Sequence, residues 1–289
     1  MLITTLGENT MNTSASLLKN VSDIHTSVFN LQQSKTMVDW ATKNLEIFSQ
    51  HSPLQNNLLA SLPKVDFNRL EPYLELVSMQ MGKVMYDCSR RLDYIYFPTT
   101  SIVSLLYVLA DGKSSETAMV GKEGMLGISL LMGGENTPIC GMVRSAGFGY
   151  RIKIQVLKNE FNQNALFRDL LLRYTQAMMT QVTQTAVCNR HHLVEQQLCR
   201  CILLSLDRLN SNALAMTQEL ISNILGVRRE GITEAAGKLQ RKGLISYNRG
   251  RIEVLDRLGL EKSVCECYSV VKSEYARLLP NAHSCVSFN

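Results

Sequence analysis

Residues 216–255 constrain this chain more than any other stretch: MTQELISNILGVRREGITEAAGKLQRKGLISYNRGRIEVL. The pattern predicts a helix, a tight turn, a second helix and a small hairpin. Thr217 is placed to cap the first helix, because its hydroxyl can accept a backbone N–H left free in the first turn. Leu220, Ile224 and Leu225 give that helix one apolar face. Gly226 permits the left-handed conformation that ends a helix sharply. The second helix starts near Arg228. Its Ile232, Ala235, Ala236 and Leu239 follow steps of i, i+3, i+4 and i+7 and so share one side, while Glu230, Glu234, Gly237 and Arg241 turn the other way. Residues 244–247 and 251–255 read as two short strands around the turn signal Asn248-Arg249-Gly250.

The outward face begins with Arg228, Arg229 and Glu230. Arginine can fork onto O6 and N7 of guanine, and glutamate can accept from N4 of cytosine. A helix-turn-helix places the N-terminal end of its second helix in the major groove. Between residues 217 and 252 there are seven Lys/Arg against three Asp/Glu. This local excess points to duplex DNA more firmly than the mild net charge of +5 for all 289 residues. Thr217, Gln218, Arg228, Thr233, Lys238, Arg249 and Arg251 are expected to touch phosphates or to support the base contacts.

The composition, 45% apolar and 19% charged, is that of a globular protein. No apolar run approaches the roughly 20 residues of a membrane span. No basic segment followed by an apolar core opens the chain, so a cytoplasmic protein is expected. The eight cysteines form no C-x-x-C pair. Cys199-x-Cys201 and Cys265-x-Cys267 are the closest spacings. Two thiols two residues apart on a helix diverge, so neither pair is expected to chelate readily alone; all read as reduced, partly buried thiols, with a redox or metal-sensing role the alternative that the spacing does not support. His191-His192 also diverge with no third ligand evident. A hinge or surface role is expected for them, and no metal. No G-x-S-x-G, P-loop or H-E-x-x-H motif is present, so no enzyme is expected.

Residues 1–50 form a polar leader, expected to be partly disordered. Residues 51–160 hold one or two short helices, then short apolar runs closed by turn residues: 74–79, 83–86, 94–97, 102–109, 117–120, 139–145 and 149–154. Regular short strands with glycine turns predict an antiparallel sandwich or barrel, and Asp111-Gly112 is the strongest hairpin signal. Residues 161–190 predict a long helix, free of Gly and Pro from 164 to 188. Leu171, Tyr174, Met178, Gln181 and Thr185 fall on alternating steps of three and four, a heptad-like stripe expected to pair two copies of the chain. A further helix follows to about residue 209, and residues 191–289 complete a winged helix-turn-helix with a helical tail.

Polar leader, small β-barrel, long helix and winged helix-turn-helix, in that order, resemble the Crp/Fnr superfamily of bacterial transcription regulators over roughly residues 58–255. The most specific stretch is Thr217-Gln218-Glu219 to Gly226, then Val227-Arg228-Arg229-Glu230. The resemblance implies an α+β fold with a jelly-roll, cyclic-nucleotide-binding-like barrel, and it makes Arg229 and Glu230 the base-contacting pair. Glu234 stands where the family carries a second recognition arginine. Cyclic-nucleotide-binding members hold ribose and phosphate with Gly-Glu-Leu and, about ten residues on, Arg-Ser-Ala. Here the matching stretches are Gly127-Ile128-Ser129 and Pro138-Ile139-Cys140, so cAMP or cGMP held in the usual way is not expected. Arg144-Ser145-Ala146 repeats the triplet about six residues late. Oxygen-sensing members carry cysteines before the barrel, and residues 1–87 contain none, so no iron–sulfur cluster is expected. The expected function is that of a homodimeric regulator, with RNA polymerase a further candidate partner. A sensor whose C-terminal domain docks a protein is the alternative.

Overall fold

The computed structural model describes residues 51–86, 92–134, 137–209 and 211–279. The polar leader and Cys88 and Cys285 lie outside them. Two short helices, α1 (Asn57–Ala60) and α2 (Lys64–Leu70), precede the sheets. Asn56 caps α1 by accepting from the N–H groups of Leu58 and Leu59, and its amide donates to the carbonyls of Pro98 and Gly124. One cap residue thus also pins the helix to the sheets.

Seven strands follow: β1 (Glu75–Met79), β2 (Val84–Tyr86), β3 (Tyr94–Pro98), β4 (Ile102–Val108), β5 (Ser114–Val120), β6 (Ile139–Ser145) and β7 (Gly147–Lys153). They form two antiparallel sheets in the orders β1-β7-β3 and β2-β6-β4-β5, a barrel-like sandwich that is not closed. Alternation along the strands sends Ile95, Phe97, Val103, Val120, Val143 and Ile152 into one shared core. The hairpin expected at Asp111-Gly112 joins β4 to β5, with the Leu109 N–H donating to the Lys113 carbonyl at 2.8 Å.

Helix α3 (Ile154–Gln163) leads into α4 (Ala165–His191), the long helix. Asn164 caps it, accepting from the Phe167 N–H at 3.1 Å. At 27 residues it is roughly 40 Å long. The stripe expected to pair two chains is not exposed. Leu171, Tyr174, Met178, Gln181 and Thr185 are all buried within the single chain. The Tyr174 hydroxyl donates to the Met125 carbonyl at 2.8 Å, and the Gln181 amide donates to the Met119 carbonyl at 2.9 Å. Tyr174 and Gln181 thus find partners on the barrel side, and Thr185 donates to the Gln181 carbonyl of its own helix and accepts from the buried Arg200 at 3.1 Å, so the helix lays this face on its own chain.

Beyond a break at His192 come α5 (Val194–Leu206), β8 (Ala213–Ala215), α6 (Gln218–Leu225), α7 (Arg229–Arg241), β9 (Ile245–Asn248), β10 (Arg251–Val254), α8 (Arg257–Ser263) and α9 (Cys267–Leu278). The wing is a three-stranded antiparallel sheet in the order β8-β10-β9. Ile221, Ile224, Ile232, Ala235, Ala236 and Leu239 join α5 in a second core, which also takes in Ile102 and Met119 from the barrel strands. Helix α9 packs along α4. Two buried arginines cross the same boundary. Arg144 of β6 pairs with Glu116 of β5 at 3.0 Å and donates to Ser205 of α5. Arg208, just past α5, pairs with Glu123 at 2.6 Å and donates to the Gln181 side chain at 2.9 Å. No described helix is long and apolar enough to cross a membrane.

Candidate nucleic-acid interface

The turn between α6 and α7 is built as its residues require. The Thr217 hydroxyl accepts from the Leu220 N–H at 3.1 Å, and Gly226 ends α6 at φ 66°. Ser222 then donates to the Val227 carbonyl at 2.6 Å, closing the bend. Ile232 and Leu239, fully buried, fix the roll of α7 about its axis, so Arg228, Arg229 and Glu230 face solvent at its N-terminal end.

The structure brings most of the expected residues together. Thr217, Gln218, Arg229, Tyr247, Arg249 and Gly250 line one shallow concavity, and Gln218, Thr233 and Tyr247 border the next. Gln218 sits between them: its side-chain oxygen accepts from Thr233 at 3.1 Å and from Arg229 Nε at 3.5 Å. Sequence reasoning missed Tyr247. Its hydroxyl donates to the Met216 carbonyl at 2.9 Å, tying the wing to the start of α6. Arg249 heads the wing turn at φ 46°, beside Gly250 at φ 76°. Both central residues are left-handed, as a two-residue type I′ hairpin demands.

Among the described residues, Arg228, Arg229, Glu230, Arg249 and Arg251 take part in no ion pair. Lys238 differs. It pairs with Glu234 one turn away at 2.8 Å, and that hydrogen bond holds the Glu234 carboxyl below its usual range. The residue standing in place of the expected arginine therefore engages a lysine expected on phosphate. A Cβ added at Gly231 would meet nothing within 4 Å, and the φ of this glycine is not left-handed. Replacing it with alanine is expected to stabilise α7 by about 0.5–1 kcal/mol, read as a rise in the denaturant midpoint.

In the barrel, Ile128 packs against the apolar core and Pro138 is exposed ahead of β6. Arg144, the late arginine, is committed to Glu116 and Ser205. These positions do not offer a carboxylate and a free guanidinium to a cyclic nucleotide.

One grouping of thiols is not anticipated by the spacing of the cysteines along the chain. Cys188, His192, Cys265 and Cys267 present their sulfur and ring-nitrogen atoms within 4.8 Å of one another. Cys265 and Cys267 do not share a helix. Cys265 lies in the link between α8 and α9, and Cys267 opens α9. Cys199 and Cys201 are buried on α5 as expected, and burial pushes the Cys199 thiol up to about 12.

Fold and site together define a winged helix-turn-helix carried behind an open, barrel-like β-sandwich. Residues 196–263 match the Crp-like helix-turn-helix domain. No curated protein matches the sequence. Among solved structures, a protein from Eubacterium rectale assigned to the Crp/Fnr family of transcriptional regulators is similar at 17% identity. The match covers 73% of this chain and 97% of that one, with a TM-score of 0.57. FixK2 from Bradyrhizobium japonicum is similar at 17% identity, covering 66% and 98%, with a TM-score of 0.57. The c-di-GMP-responsive global regulator CLP of Xanthomonas campestris is similar at 14% identity, covering 66% and 99%, with a TM-score of 0.53. The chain thus carries a Crp-like helix-turn-helix domain on the fold of Crp/Fnr regulators.

Proposed function

We propose that the chain is a DNA-binding transcription regulator that works as a homodimer. The observation that carries this reading is the exposed start of α7, free of ion pairs. Arg229 and Glu230 stand clear of the domain core, with Arg228 before them and Arg249 of the wing turn lining the same concavity as Arg229. Arg229 and Glu230 read base edges in the major groove. Arg228, Arg249 and Arg251 hold phosphates, Lys238 contributes after releasing Glu234, and Thr217, Gln218 and Thr233 position the reading side chains. The second half-site lies about 34 Å away, one helical turn.

The long helix supports self-pairing through a different face from the one its sequence suggested. Leu172, Thr175, Met179, Val182 and Ala186 also follow steps of three and four, one residue out of phase with the buried stripe. Leu172 is 51% exposed, Met179 65% and Val182 38%. This is the a/d pattern of a two-stranded seam. Burying a methionine contributes about 1.5–3 kcal/mol. Met179→Glu is therefore expected to weaken self-association at least about tenfold, seen as monomer in sedimentation. A dimer of unchanged strength would place the interface elsewhere.

Input arrives through the barrel, whose strands meet α5 at Arg144 and whose loop meets Arg208. Cyclic nucleotides held in the usual way are not the input, given Ile128 and Pro138. The reading is tested by selecting a duplex from random sequence and following its affinity with salt. Phosphate contacts make log K fall steeply with log salt. Weak, salt-insensitive binding would overturn the proposal and favour a protein partner for the C-terminal domain.

A further inference from the structure

The side chains of Cys188, His192, Cys265 and Cys267 are drawn from two distant parts of the chain. Cys188 sits in the last turn of α4. His192 is the residue that ends it, four positions on, and its N–H still donates to the Cys188 carbonyl at 3.0 Å. That spacing puts both side chains on one side of the helix end. Cys265 and Cys267 flank a tight turn, closed by the Tyr268 N–H donating to the Cys265 carbonyl at 3.2 Å. The turn folds two sulfurs to the same side, which a helix would have separated.

The distances have the size of a coordination polyhedron. Cys188 Sγ and Cys265 Sγ are 3.6 Å apart, and Cys267 Sγ is 3.5 Å from His192 Nδ1. Tetrahedral zinc, with sulfur at about 2.3 Å and nitrogen at about 2.0–2.1 Å, needs edges of about 3.8 Å between sulfurs and about 3.5 Å from sulfur to nitrogen. We propose that Cys188, His192, Cys265 and Cys267 form a closed three-thiolate, one-imidazole site for a zinc ion. Soft thiolates with one imidazole in a tetrahedral set select zinc over the oxygen-preferring cations.

The surroundings fit a bound ion. His192 Nδ1 faces Cys267, and its Nε2 lies 3.5 Å from the Glu266 carboxylate, the partner that orients a ligating histidine. Gln197 donates to the carbonyls of both His192 and Cys188, at 2.9 and 3.4 Å, bracing two ligand residues at once. Three thiolates and one divalent ion leave a net charge of about −1. Arg200, buried on α5, supplies a positive charge that acts on Cys188 and Cys267, and its Nε has no hydrogen-bond partner among the described residues. Four protein ligands leave no open position, so the ion is structural rather than catalytic. It ties the end of the long helix, the break at His192 and the segment after the wing into one joint. Binding at neutral pH displaces the thiol protons into solvent.

The full-length reduced chain is expected to hold one zinc per chain by elemental analysis. After chelation, added cobalt(II) is expected to give the intense visible and thiolate-to-metal absorption of a tetrahedral thiolate site, and zinc to abolish it. Glu266→Gln is expected to weaken metal affinity about tenfold to a hundredfold, and Cys265→Ser or His192→Asn by more. Cys140→Ser, remote from the cluster, keeps full stoichiometry. The cobalt spectrum of the unaltered chain decides the matter even where a ligand variant fails to fold. Absence of that spectrum, or full zinc in the Cys265→Ser/Cys267→Ser chain, overturns the proposal. So does a Cys188–Cys265 disulfide that takes up no metal after reduction. None of these readouts depends on DNA, so they stand apart from the regulator reading.

Discussion

Arg229→Ala is expected to weaken specific DNA binding by about 1–3 kcal/mol and to relax the preference at one base position. The arginine lies on the exposed side of α7, with a 3.5 Å contact from its Nε to Gln218. The helix is held by Ile232, Ala235, Ala236 and Leu239 on the other side, so alanine leaves the domain folded. The effect is therefore on recognition. Arg251→Ala on the wing gives the contrasting result: binding weakens about equally on all duplexes, and the salt slope drops by about one. The two variants separate reading from holding. Arg229→Ala with an unchanged base preference would move the reading residue elsewhere, to Glu230 or Arg228.

The helix-turn-helix was legible because its signals are local. Thr217, Gly226 and the 232–235–236–239 spacing each act within one or two turns of helix, and all three appear in the structure as expected. The barrel strands were legible for the same reason, since each is bounded by its own turn. Strand β8 was not, because three residues carry no period, and Ala213–Ala215 becomes a strand only by pairing with β10. Tyr247 was hidden as an ordinary strand-forming aromatic. Its importance lies in a hydroxyl contact 31 residues back along the chain.

The long helix misled for a more instructive reason. It carries two heptad stripes, one residue apart, and periodicity cannot say which faces the barrel. Gln181 and Thr185 suggested a polar seam between chains. Gln181 is in fact buried between the Met119 carbonyl and Arg208, hydrogen-bonded through both ends of its amide inside one chain. A satisfied buried amide and an interface amide look the same in sequence. The thiol cluster misled through distance. Cys188 and Cys265 are 77 positions apart, and a spacing rule that assumes a helix fails at the turn before α9.

Glu116→Ala is expected to have the largest effect on stability, a loss of about 3–5 kcal/mol. Arg144 is 2% exposed, so the substitution strands a guanidinium with no route to water. Its Nη1 now lies 3.0 Å from one Glu116 oxygen and 3.3 Å from the other, and Ser104 donates to the same carboxylate. Removing one partner of a buried pair leaves the other charge uncompensated, and this is the larger part of the loss. The damage also spreads across the domain boundary. Arg144 reaches Ser205 and, at 3.5 Å, the Cys201 carbonyl on α5, so an arginine that swings out in search of water releases the helix-turn-helix domain from the barrel. Hydrogen exchange is expected to rise in α5 as well as in β5 and β6, and the denaturant midpoint to fall. Replacing both residues with apolar side chains of similar volume, Glu116→Leu with Arg144→Met, is expected to restore most of the midpoint, because neither charge then remains to be solvated. That recovery would come without the link to Ser205, so α5 should stay more open to exchange than in the natural chain. A single Glu116→Ala variant with an unchanged midpoint would mean that Arg144 already has another route to solvent, and the buried pair would lose its place as the connection between the barrel and the helix-turn-helix domain.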